Sequence, residues 1–176
     1  SDATDYLTSN SIELDYVFNV IGSRNNTLFF YQNQVDFTAF YSYDLDSDHL
    51  QEVFKMNSQI SIGKSIPNNG FIYFTFIENG KSNLFSLNID THRCKSVFKD
   101  ELASLYINTY SKNSIKVNYT SFPIPSISYE LKDGQSLKKI TEHLKPEFSN
   151  FKTEQKWVEN QRDSIPMIFY YKDSLL

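Results

Sequence analysis

Cys94 is the only cysteine in 176 residues, so no disulfide can close within the chain and no cysteine knuckle can hold a metal. A single thiol reads as a small hydrophobe in or near a strand. It fits a reducing compartment, which makes the expected location cytoplasmic. No apolar run approaches the roughly 18 residues of a membrane span, and no charged-then-apolar leader opens the chain. Ser1-Asp2-Ala3 is compatible with a vector remnant. Basic charge is also short: 17 Lys and Arg stand against 21 Asp and Glu, giving a net charge of −4 with neither sign gathered into a block. Phosphate contacts need clustered Lys and Arg, so nucleic acid is excluded as a partner. The five glycines (Gly22, Gly63, Gly70, Gly80, Gly134) lie far apart. No serine sits in a G-x-S-x-G elbow, and no P-loop or dinucleotide fingerprint appears. The expectation is therefore a chain with no catalytic residue, no cofactor and no metal ligand of its own.

Aromatics are abundant. Fifteen Phe, twelve Tyr and one Trp make up 16% of the chain, and such residues favour pleated, half-buried surfaces over helices. A shift of 44 residues brings two stretches into register. Leu28-Phe29-Phe30 falls on Ile72-Tyr73-Phe74, Phe40 to Asp46 falls on Leu84 to Asp90, and Val53-Phe54-Lys55 falls on Val97-Phe98-Lys99. A third copy follows when Phe71, Tyr73 and Thr75 move by 44 to Ile115, Val117 and Tyr119, and Phe85 to Ile89 move by 42 to Ile127 to Leu131. Within a copy the period is two. Tyr41, Tyr43 and Leu45 share one face while Ser42 and Asp44 take the other, the alternation of a strand with one face in a core.

Each copy divides into four short strands. The first reads Tyr16–Val20, Thr27–Tyr31, Phe37–Asp44 and Leu50–Lys55; the second Gln59–Ile62, Gly70–Ile77, Asn83–Ile89 and Arg93–Lys99; the third Leu105–Tyr110, Ser114–Thr120, Ser126–Leu131 and Ser136–Ile140. Polar turns at Asp46–His49, Asp90–Arg93 and Lys132–Gln135 occupy the same place in each copy, and Pro67-Asn68-Asn69-Gly70 reads as another turn. Four short strands in a unit of about 40–50 residues is the signature of a propeller blade. The predicted fold is all-β: a partial β-propeller of three four-stranded antiparallel blades plus a C-terminal hairpin. Residues 1–13 form a tail, 14–56, 57–101 and 102–143 the blades within 14–145, and 146–176 a linker and hairpin with strands at Thr153–Asn160 and Ile165–Lys172. A three-blade arc leaves two outer faces without a neighbour, so both are expected to expose apolar area and drive self-association.

Other motifs carry ordinary readings. Asp44-Leu45-Asp46-Ser47-Asp48 opens like a calcium loop, but His49 and Lys55 stand where such a loop needs glycine and an acidic ligand. A polar hairpin turn accounts for it. His49, His92 and His143 are spread over the repeats rather than gathered for a metal. Asn25-Asn26-Thr27 and Asn118-Tyr119-Thr120 are formal glycosylation sequons, the second inside a predicted strand.

Tyr119-Thr120-Ser121-Phe122 with Pro125, then Ile127, Tyr129, Glu130 and Leu131, resembles the last propeller blade of the prolyl oligopeptidase family of serine peptidases, which includes oligopeptidase B. Trp157-Val158 and Ile165-Pro166-Met167-Ile168 stand where that family continues with a strand, a turn and an Ile/Val-Pro-Met-like segment. The sequence departs at Gln161-Arg162, where the family turns on Asp-Gly. The resemblance implies a propeller that lids an α/β-hydrolase domain and admits short peptides to a Ser-Asp-His triad lying outside this chain. The implied partners are that hydrolase domain and peptide substrates. The alternative is a stand-alone propeller module that binds a protein or peptide.

Overall fold

The structure, a computed structural model, describes residues 18–57, 65–78, 80–121, 126–132, 134, 136–142, 150–159 and 164–172. Fourteen strands and no helix occur among them. The first sheet holds β1 (Phe18–Arg24), β2 (Thr27–Asn33), β3 (Thr38–Asp44) and β4 (His49–Met56). The second holds β5 (Ser65–Asn68), β6 (Phe71–Glu78), β7 (Lys81–Asn88) and β8 (Cys94–Glu101). The third holds β9 (Ser104–Ser111), β10 (Ser114–Thr120), β11 (Ile127–Lys132) and β12 (Ser136–Glu142). In each the strands pair with their sequence neighbours, and every pairing is antiparallel. β13 (Phe151–Glu159) and β14 (Ser164–Lys172) make a separate hairpin. This is the architecture of a partial propeller with an appended hairpin.

The repeat is written into the backbone as well as the side chains. Asn25 and Asn69 both hold left-handed conformations, at φ 50° and 47°, and so do Asp48 and His92, at 53° and 55°. Asp44 Oδ1 accepts the backbone N–H groups of Asp46 and Ser47 and the Ser47 hydroxyl. Asn88 Oδ1 accepts the same three bonds from Asp90, Thr91 and the Thr91 hydroxyl. Short polar side chains that bond their own backbone two residues on are what such turns require. The bonds Leu45 N to Asn26 O (2.8 Å) and Ile89 N to Gly70 O (2.9 Å) are a further matched pair. Val117 pairs with Tyr129 as Phe74 pairs with Phe85, so Tyr129 rather than Ile127 matches Phe85, and the third strand of the third copy keeps the offset of 44 instead of the 42 read from the sequence. With that correction the register irregularities at Phe40/Tyr41, Leu84/Phe85 and Ser128/Tyr129 fall at one place in all three sheets.

Two further sequence readings shift. The first strand of the second copy is Ser65–Asn68 rather than Gln59–Ile62, a stretch that lies outside the described residues. Pro67-Asn68 belongs to that strand and the turn contracts to Asn69-Gly70, with φ 47° and 83°. A two-residue hairpin with both φ values positive matches the strand twist, and Pro is tolerated because β5 is an edge strand.

The larger correction concerns the faces. The second sheet is packed on two sides, not one. Phe29, Phe40 and Val53 of the first sheet meet Ile72, Phe74, Phe76 and Leu87 of the second in one cluster. Tyr73, Leu84 and Val97, the equivalents of the first three, face the other way into a cluster with Ile107, Ile115, Val117 and Leu131 of the third sheet. The residues that match Ile72, Phe74 and Phe76 are thus Ile115, Val117 and Tyr119, one position off the register read from the sequence. A slip of one residue moves a strand's side chains to the opposite face. Ser86, the counterpart of Ser42 on the face read as polar, is 2% exposed and donates to the Gly134 carbonyl of the third sheet's turn at 3.0 Å.

The two outer faces also differ from each other. On the first sheet Phe18, Phe30 and Tyr41 form an aromatic cluster with centroids 5.0–5.9 Å apart, beside exposed Val20 and Leu50. On the third sheet the outward positions are Lys116 opposite Glu130 and Asn118 opposite Ser128. A Ser128 to Asn118 hydrogen bond (2.9 Å) and a Lys132–Glu130 ion pair (3.3 Å) lie among them. An aromatic cluster therefore marks one outer face, while on the other polar residues surround the exposed ring of Tyr106, opposite Asn118.

Gly134 locks the second and third sheets together. Its N–H donates to the Tyr73 hydroxyl at 3.0 Å, its carbonyl takes the Ser86 bond, and its φ is 65°. A Cβ there would stand 2.5 Å from the Phe71 ring. Gly134→Ala combines left-handed strain with overpacking and should destabilise the chain by about 2–4 kcal/mol. Urea unfolding of the variant checks this, and an unchanged midpoint would refute the interlock.

Candidate functional site

The hairpin meets the propeller where β7 begins, and a cleft lies between them. Gly80 leaves room for it: a Cβ there would lie 3.8 Å from both Gln155 Nε2 and Ile168 Cδ1. In β13 and β14, Trp157 pairs with Pro166, Gln155 with Ile168 and Thr153 with Tyr170. Alternation puts these six residues on one face, and that face turns toward the second and third sheets. A cavity of about 330 Å³ remains, bounded by Ile77, Gly80, Ala103, Ser121, Ile168 and Tyr170, with Ser82, Ser104 and Thr120 also on its wall. The Ser82 hydroxyl donates to the Ala103 carbonyl and ties β7 to the β8–β9 connection. No charged side chain and no histidine appears in the described lining. The arrangement can seat an uncharged group, and it pairs no serine with a base.

The opposite face of the hairpin carries Val158, Ile165, Met167 and Phe169, all 39–53% exposed. Lys156 pairs with Glu154 at 3.6 Å and extends over the Phe169 ring at 5.7 Å. The outer edges of β13 and β14, which pair with no other strand among the described residues, flank this apolar strip.

The residues weighed from sequence remain apart. His49 opens β4 and His92 sits in the turn before β8, while His143 lies outside the described residues. Among the described residues no group of three or more His, Cys, Asp or Glu could hold a metal. The Asp44–Asp48 segment closes on itself. Bonds from the Ser47 N–H and hydroxyl hold the Asp44 carboxyl below the usual carboxylate range, and the Tyr43 hydroxyl donates to Asp48, which pushes the Tyr43 pKa up. Asn25 is a turn residue and Asn118 a strand residue bonded to Ser128. The turn Gln161-Arg162 lies outside the described residues. The wall of the cavity went unread in the sequence. The signal that marks its position is the Asn79-Gly80 dipeptide between two apolar strands, a hairpin code.

Cys94 begins β8 and packs against the cluster between the first and second sheets. Burial pushes its thiol up to about 12.

Stacked four-stranded antiparallel sheets with an apolar cluster between each neighbouring pair define a segment of β-propeller. No protein-family model matches the chain, and no curated protein sequence matches it significantly. Solved structures do match. One of two prolyl endopeptidases whose inter-domain dynamics have been tied to catalysis and specificity superposes with a TM-score of 0.73 at 14% identity, over 92% of this chain and 25% of its own. Prolyl oligopeptidase B from Galerina marginata gives 0.71 at 14% identity, over 90% and 24%. The β-propeller domain of the Trilobed protease from Pyrococcus furiosus, of open velcro topology, gives 0.51 at 12% identity, over 86% and 52%. At such identities the likeness is one of fold. The chain has the fold of a propeller segment from prolyl oligopeptidase-type peptidases, and it spans about a quarter of the length of those enzymes. The sequence resemblance and the structural likeness fall on the same peptidases.

The thiol provides a pH test. An unfolded cysteine ionises near pH 8.5, whereas folded Cys94 keeps its proton to about 12. Between those values the unfolded state binds fewer protons, so this residue's contribution to stability is constant below about pH 8.5 and falls as pH rises above it. Native protein should react with an alkylating agent at pH 8 far more slowly than unfolded protein, and Cys94→Ala should flatten the alkaline loss of stability. Equal alkylation rates in the folded and unfolded states would contradict the burial.

Proposed function

We propose that this chain is the propeller portion of a prolyl oligopeptidase-type serine peptidase, which restricts the access of peptides to an active site carried by a hydrolase domain. Residues 146–176 then form the linker and the first hairpin of that domain. The observation that carries the reading is the outer face of the hairpin. Val158, Ile165, Met167 and Phe169 form an apolar strip with open strand edges, the surface that a following β-sheet would cover. The extent of the structural match supports it too: 92% of the chain is more than residues 1–142 can supply, so the likeness runs into the hairpin region. A propeller so placed acts by steric exclusion and by keeping bulk water from the reacting centre. The cavity beside Gly80 lies at the junction between the sheets and the hairpin, so an uncharged part of a peptide could rest there.

Catalysis belongs to the other domain in this reading. Purified chain incubated with Z-Gly-Pro and basic-residue peptide reporters should give no turnover. Hydrolysis blocked by a serine-directed inhibitor would overturn the assignment of the chemistry to residues elsewhere.

The uncovered hairpin strip should also make the chain self-associate at tens of micromolar. Light scattering should report species larger than a monomer, and Met167→Glu with Phe169→Lys should lower their proportion, leaving only association through the first sheet's aromatic face. A monomer before substitution would overturn the prediction.

A further inference from the structure

A second cleft, of about 210 Å³, lies at the other end of the second and third sheets. Its floor is the Phe71 ring against Gly134, and Asn88, Thr91, Arg93 and Lys95 line its wall. Arg93 and Lys95 flank Cys94, whose side chain packs into the cluster between the first and second sheets. Strand alternation therefore sends the two cations to the opposite face, toward the third sheet. Among the described residues, neither side chain engages a carboxylate or any other partner. Asp90, the acid of this turn, is drawn to Arg24 instead, at 3.5 Å.

Asn88 adds a third donor. Its Oδ1 is fixed by three hydrogen bonds from Asp90 and Thr91. That commits the oxygen to the turn and leaves the Nδ2 hydrogens unengaged among the described residues. The repeat does not require this set. The positions of Arg93 and Lys95 are His49 and Gln51 in the first copy, on the same turn and strand. The cations are thus an addition to the blade frame, placed over an aromatic floor.

We propose that this cleft is an anion-binding site. It takes a small oxyanion, a carboxylate or a phosphate ester, attached to a flat apolar body that rests on Phe71. Arg93 grips the anion with its fork of donors, Lys95 supplies a second charge, and Asn88 Nδ2 fixes the orientation. The site goes beyond the lid reading and does not depend on it, since only the interface of the second and third sheets is needed.

The test uses the 176-residue chain with benzoate, phenyl phosphate, inorganic phosphate and benzyl alcohol as probes, followed by amide NMR at Gly134 and Lys95. Benzoate or phenyl phosphate should shift these signals saturably, and the stronger of the two identifies the anion. Inorganic phosphate should bind more weakly, and benzyl alcohol should not bind. Arg93→Gln and Lys95→Gln, both at exposed side chains, should each weaken binding about tenfold, the loss of one charge-assisted bond, without changing the unfolding midpoint. Benzyl alcohol binding as well as benzoate, no shift with any anion, or full affinity in the double variant would each overturn the site. A failure here leaves the absence of hydrolysis and the self-association unaffected, so the two readings fail separately.

Discussion

The contact between Phe40 and Phe74, with ring centroids 4.7 Å apart, is the constraint on which the stack depends. Both rings are fully buried, and each belongs to a different sheet. A four-stranded meander cannot shield both of its faces from water, so its stability has to come from the neighbour. Burying an aromatic side chain contributes about 3–5 kcal/mol against alanine, a large fraction of a typical domain's net stability. The second sheet receives such burial twice, from Phe74 and Phe76 on one face and from Tyr73 and Leu84 on the other. It is the middle sheet of the three, with a blade on each side.

The polar part of the repeat sets where those rings meet. Asp44 and Asn88 organise identical turns, and the left-handed residues Asp48 and His92 return the chain into the fourth strand. The shared bend at Phe40/Tyr41, Leu84/Phe85 and Ser128/Tyr129 then gives successive sheets one curvature. Blades of one shape pack at one angle, and the stacked pair recurs with them. Phe30 lies 5.6 Å from Tyr41 in the first sheet, and Phe74 lies 5.6 Å from Phe85 in the second. Side-chain packing and turn chemistry are therefore two records of one repeated unit.

Much of this was legible in the sequence, because the offset between the first two copies holds along three strands and their turns. The third copy was harder. Its second strand is displaced by one residue, and Val117 resembles the Tyr73 and Phe74 positions equally well as a β-former. Aromatic alternation reports a strand, but it cannot tell which side faces the next blade when both sides are buried. Ser86 shows the error of assuming one core face: a serine in a polar row became a buried donor to a glycine carbonyl in the next sheet. The functional surfaces were less legible still. The cavity beside Gly80 and the cleft around Arg93 are made by residues from different blades and the hairpin, and no motif in one stretch of chain encodes them.

The unequal outer faces bear on how such an arc fits into a larger assembly. The first sheet presents Phe30 and Tyr41 where the second sheet presents the covered pair Phe74 and Phe85, so it keeps the chemistry of an interior blade interface. The third sheet instead puts Lys116, Asn118, Ser128 and Glu130 outward. The stacked aromatic pair thus has no counterpart among the described residues of the third sheet, where Tyr106 stands among polar neighbours, while the chain continues into a hairpin whose apolar strip faces away from the propeller. In the proposed assembly, burial passes from blade-to-blade contact to a contact of another kind, between the hairpin strip and the domain that the hairpin would open.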